Sequence, residues 1–171
     1  MPKSVNLTSE ITLPGLFDFV GGAQVGTLAE APSFGGLTGG NVGQSQLIQT
    51  DQTINFKFDW KVSGIFTHAF NPAFLWEIEI LMERLGPGEF SLGPVGRKTL
   101  TFGTGSTVGT VTTFPGTSAP GSTTVIIPGN TIPAGVYDVV AIVRLAHPGT
   151  LQPCFLAAFA EFGKIQFYRE H

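Results

Sequence analysis

The chain is short of charge. Only 12% of its 171 residues are Asp, Glu, Lys or Arg, and the net charge is −3, where an ordinary domain carries roughly 25% charged residues. A surface with so few charges relies on Thr, Ser, Gln, Asn and backbone, and it sets up little like-charge repulsion against self-association. The nine Lys and Arg are scattered rather than clustered, so no footprint for a phosphate backbone exists and nucleic acid is not an expected partner. Cysteine is reduced to Cys154, which excludes an internal disulfide and reads as a buried thiol. No Cys/His spacing matches a zinc site, and neither metal nor cofactor is expected. No run approaches the ~18 apolar residues of a membrane-spanning helix. The opening MPKSVNLTSEITLPG lacks the apolar core of a signal peptide, so the expectation is a protein cytoplasmic as synthesised, surface display requiring a non-classical route.

Trp and Tyr are also scarce, at two each, against 15 Phe. A sugar-binding platform stacks rings but also uses Tyr, Trp and polar partners, so Phe reads mainly as core filler. Glycine is abundant, with 23 residues, and proline numbers 12. Glycine is densest near the start, where LPGLFDFVGG (13–22) precedes GTLAEAPSFGGLTGGNVGQSQ (26–46). On composition this predicts a Gly-rich arm over residues 1–46 that buries little surface of its own. The arm would precede a domain over 47–171.

From residue 47 onward the pattern is that of strands. In TINFKFDWKVSG, Ile54, Phe56, Phe58, Trp60 and Val62 alternate with polar residues, which places five large side chains on one face. RKTLTF, STVGTVTTF, STTVII and VYDVVAIVRL follow, bounded by Gly and Pro. The closing FLAAFAEFGKIQFY contains Gly163, a position that predicts a bulge or bend. About eight short strands separated by turns predict an all-β fold, an antiparallel β-sandwich or jelly roll.

FLWEIEILMERLGPGEF (74–90) holds four of the twelve acidic residues and admits two readings. A helix would start at Asn71 and Pro72 and align Phe74, Ile78, Leu81, Met82 and Leu85. A strand would place Trp76, Ile78, Ile80 and Met82 on the dry face and Glu77, Glu79 and Glu83 on the wet one. The turn residues on either side favour the strand.

Three segments carry a resemblance: WEIEILMERLGPGEFSL, IPAGVYDVVAIVRL and AFAEFGKIQFY. Their order resembles a group of small uncharacterised bacterial β-sandwich proteins, over about the last hundred residues. Those motifs are turn and core positions, so the resemblance implies a fold and no activity.

The search for chemistry yields little. Glu77 and Glu79 on one strand face would stand ~7 Å apart, within the range of glycosidase carboxylate pairs. Lys57, Asp59 and Lys61, expected on the neighbouring strand, explain the same glutamates as cross-strand ion pairs. GTGSTVG (103–109) lacks the Lys-Ser/Thr of a phosphate loop and reads as a hairpin or sheet edge. His68, His147 and His171 share no metal or nucleophile spacing. There is no Gly-x-Ser-x-Gly or His-Glu-x-x-His motif, and no catalytic residue is assigned.

The expectation is therefore a non-enzymatic structural subunit that assembles with itself into an oligomer, shell or filament. The arm would dock on a neighbouring copy or add a strand to it. Leu16, Phe17, Phe19, Val20, Phe34 and Phe114 are the candidate interface residues. The alternative is a lectin- or adhesin-like module that takes a glycan through loops at one end.

Overall fold

The computed structural model describes residues 3–10, 13, 16–27, 46–65, 73–102, 106–108, 111–114, 123–150 and 152–169. Among them the chain is all-β. Its strands are β1 (Lys3–Ser9), β2 (Asp18–Thr27), β3 (Gln46–Gln49), β4 (Ile54–Ser63), β5 (Leu75–Arg84) and β6 (Arg97–Thr101). They continue with β7 (Ser106–Val108), β8 (Val111–Phe114), β9 (Thr124–Ile127), β10 (Gly135–Ala146) and β11 (Pro153–Tyr168). That makes eleven described strands, and three of the extra elements (β1, β2 and β3) come from residues before Ile54.

The strand order is β6-β5-β10-β11-β1-β2-β4-β8-β7, with β9 on β4 and β3 on β11. Every pairing is antiparallel except that of β3 with β11. The sheet curls until its β6 margin reaches β9, where Lys98 Nζ donates to the carbonyl of Thr124 at 3.0 Å. The wrap is nearly closed and barrel-like. Burial around Lys98 lowers its pKa from the usual lysine value.

The predicted arm is corrected over much of its length. Residues 3–9 and 18–27 are β1 and β2, and β1 joins the two halves of the wrap. Lys3 to Leu7 pair with β2, while Thr8 and Ser9 pair with β11. β2 runs the full length of β4, from Asp18 opposite Ser63 to Thr27 opposite Ile54. Gly21 serves packing: a β-carbon there would lie 2.6 Å from the Trp60 β-carbon and from the Asp59 carbonyl oxygen, so only Gly fits against β4 at this position.

The core fills the inside of the wrap. Ile54, Phe56, Phe58, Trp60 and Val62 are all buried, as the alternation in β4 predicts. Trp60 meets Trp76 of β5 with ring centroids 5.3 Å apart, and Phe56 meets Phe162 of β11 at 5.4 Å. β4 is neighbour to neither β5 nor β11, so both pairs span the interior. The predicted irregularity at Gly163 is present: its φ is +66°, and the β10–β11 register slips between Val139 and Val140. Before the slip Leu156, Ala158, Ala160 and Phe162 point inward. After it Ile165 and Phe167 do, so one bulge keeps a 16-residue strand apolar on its inner side.

β8 and β9 run in the same direction along one edge of β4. β8 ends opposite Trp60 and β9 begins opposite Lys57, which leaves a gap of Phe58 and Asp59. They are two pieces of one interrupted strand. Thr123 closes the gap, its carbonyl accepting from Phe58 N–H and its hydroxyl donating to the Phe58 carbonyl. The GTGSTVG segment contributes β7, which pairs with β8 at the sheet's end, as the hairpin reading predicts.

Candidate assembly interface

The segment around Glu77 is a strand, with Trp76, Ile78, Ile80 and Met82 buried inward. Its glutamates point out, but their partners and burial differ from the sequence expectation. β5 lies between β10 and β6, so Lys57, Asp59 and Lys61 of β4 are not its neighbours. Glu77 stands opposite Arg144 and accepts a hydrogen bond from its Nε at 2.9 Å. Glu79 accepts from Arg97 Nε at 2.8 Å, with Arg144 Nη2 3.6 Å away. Glu77 is only 5% exposed, so it is not a wet-face residue. The hydrogen bond to Glu77 raises the Arg144 pKa against the opposing effect of burial, with the two nearby carboxylates adding to the rise. The two carboxylates and the two guanidiniums form one charge network, which replaces the expected pairing with Lys57, Asp59 and Lys61.

Beside this network the same outer face is apolar. Leu81 of β5 stands opposite Val140 of β10, and Ile142 of β10 stands opposite Phe159 of β11. Leu81 is 44% exposed; Val140, Ile142 and Phe159 are half-buried. Outward residues of a solvated antiparallel sheet are ordinarily polar, and a contiguous apolar row rimmed by charge marks an interaction surface. Glu83, Asp138 and Lys164 rim it on the side away from Arg144, while Glu161 stands beside Val140 and Glu79 beside Ile142.

The other outer face is polar. Asn55, Lys57, Asp59 and Lys61 project from β4 over Gly26, Gln24, Gly22 and Val20 of β2. Burial raises the Asp59 carboxyl above its usual range, partly offset by a hydrogen bond from its own backbone. Gln24 Oε1, Asn55 Oδ1 and Asp59 Oδ1 are buried without a partner among the described residues. They do not converge on one point, because Asn55 and Asp59 are ~13 Å apart along the strand.

The sequence-predicted interface residues divide. Phe17 and Phe19 are core residues, Phe19 lying 6.0 Å from Trp76, and are withdrawn as contacts for a neighbour. Burial won because β2 is an internal strand. Leu16 and Val20 are exposed. Phe114 ends β8 opposite Trp60, and Phe34 lies outside the described residues. Cys154 is half-buried against the core, where burial raises its thiol pKa. His147 is exposed and tilts against Phe74 at 5.1 Å, while His68 and His171 lie outside the described residues.

Among the described residues no group of three or more His, Cys, Asp or Glu is placed to hold a metal ion. None of their helices is long and apolar enough to cross a membrane. Comparison with protein-family models, curated proteins and solved structures finds no match.

Proposed function

We propose that the protein is a non-enzymatic structural subunit that associates with itself, its wrap being a flattened sandwich that presents the β5-β10-β11 outer face to another copy. The observation that carries this reading is the row Leu81, Val140, Ile142 and Phe159, which leaves four large apolar side chains on the outside of a sheet whose inside is already full. Low charge overall supports it, because little repulsion opposes association. The sheet face thus replaces the N-terminal segment as the contact, since β1 and β2 belong to the subunit's own sheet.

Ile142→Lys tests the reading. The new ammonium stands opposite Glu79 within its own sheet, so the fold has a local ion pair to accept it. In an interface it would lie desolvated in an apolar patch. The expected result is an unchanged circular dichroism spectrum with association weakened about tenfold or more. Unchanged association would sink the assignment of this face.

A second reading, the lectin- or adhesin-like module, draws on a shallow, open groove of about 550 Å³ at the β5–β6 turn. Glu83, Arg84, Glu89 and Phe90 line it, offering a ring and hydrogen-bonding groups to a sugar. A glycan array that stays blank at high protein concentration removes it.

A further inference from the structure

The outward residues of β10 read Asp138, Val140, Ile142, Arg144: acid, apolar, apolar, base. The intervening Val139, Ala141 and Val143 point inward and are fully buried. Consider a two-fold axis in the plane of contact, crossing β10 at right angles between Val140 and Ile142. It turns this row onto itself in reverse, so each copy's Asp138 faces the other's Arg144 and each Val140 faces an Ile142. We infer that the protein pairs with a second copy of itself through this face, as a closed two-fold dimer with β10 lying on β10. The inference rests on the self-association reading above and adds to it the symmetry, the register and the contacting charges.

Side-chain chemistry at both ends fits this arrangement. The Asp138 carboxylate makes no hydrogen bond or ion pair among the described residues. Arg144 uses Nε on Glu77 and turns Nη2 toward Glu79, and its fork of five N–H donors retains capacity for a third carboxylate. A two-fold axis along the strand instead would set Arg144 against Arg144 and Asp138 against Asp138. Leu81 and Phe159 flank the central Val140–Ile142 contact on β5 and β11, where the same axis sets them over Glu79 and Glu161 of the other copy, so the apolar-on-apolar contact belongs to the two β10 strands. Two sheets packed face to face stand ~10 Å apart with strands nearly aligned. Because such a contact is isologous, each copy's face is consumed by the other and growth stops at two.

The test is the mass of the intact chain across a wide concentration range, by light scattering, beside Asp138→Lys. Within its own sheet the substituted lysine loses Lys164 as a favourable cross-strand neighbour and gains Glu83. The fold therefore has a compensating pair, and thermal melting checks that it is retained. The expected result is a wild-type mass of two chains with no further growth. In Asp138→Lys the dissociation constant rises about tenfold or more, because two attractions become two repulsions; Asp138→Asn falls in between. A mass that keeps climbing past two chains would leave self-association standing and overturn the two-fold closure. A dimer indifferent to Asp138→Lys would overturn the β10 register. A monomer at every concentration would overturn both the dimer and the reading beneath it.

Discussion

Glu77 and Arg144 form the charged end of the proposed interface, and the pair also has to be satisfied within the subunit. Glu77 is 5% exposed, whereas the Arg144 side chain remains 29% exposed. Removing the arginine strands a buried carboxylate, and removing the carboxylate leaves a cation that water still reaches. Arg144→Met should therefore destabilise by about 2 kcal/mol, read from urea denaturation, and Glu77→Gln by less. Equal losses would contradict the asymmetry in burial. The outward direction of these glutamates was legible in the sequence, because period two in WEIEI fixes which side chains share a face. Their partners were not. Which arginine meets which glutamate depends on strand order, and β10, although distant in sequence, lies beside β5 where β4 does not.

At the scale of elements, β11 and β2 show why glycine misleads in one place and informs in another. Gly163 interrupts a run of strand formers, so the bulge could be read in advance. Its φ of +66° is a backbone state that costs an L-residue about 1–2 kcal/mol. Gly163→Ala should lower stability by that amount in chemical denaturation, and a neutral result would mean that the bulge can be rebuilt without left-handed backbone. In β2 the sequence GGAQVG reads as a tether because composition records no partner. The glycine at position 21 is there because Trp60 occupies the space opposite, and that constraint comes from a strand more than thirty residues later in the chain. The outward row of β10 was partly visible, since VYDVVAIVRL alternates and carries a charge near each end. Its Val and Ile content gives both faces the same apolar character, so composition alone does not mark which of them points outward.

For the whole molecule, the correction to the N-terminal segment changes what truncation does. A disposable arm could be cut away with the rest intact. In the structure, removing residues 1–27 deletes β1 and β2, which connect β11 to β4 in the wrap. The truncated chain should lose its cooperative thermal transition and its near-ultraviolet circular dichroism; retention of both would restore the arm. The strand-to-strand link at β1 also bears on the order of folding. Thr8 finds its partner in Phe159, so the first described strand waits for the last described one. Until β11 arrives, β2 and β4 pair with an unfilled inner face. Contacts of such long sequence separation slow folding and prolong exposure of apolar surface. A subunit built this way closes its core only once β11 has been added to β1 and β10, and refolding from denaturant is expected to be slow for that reason.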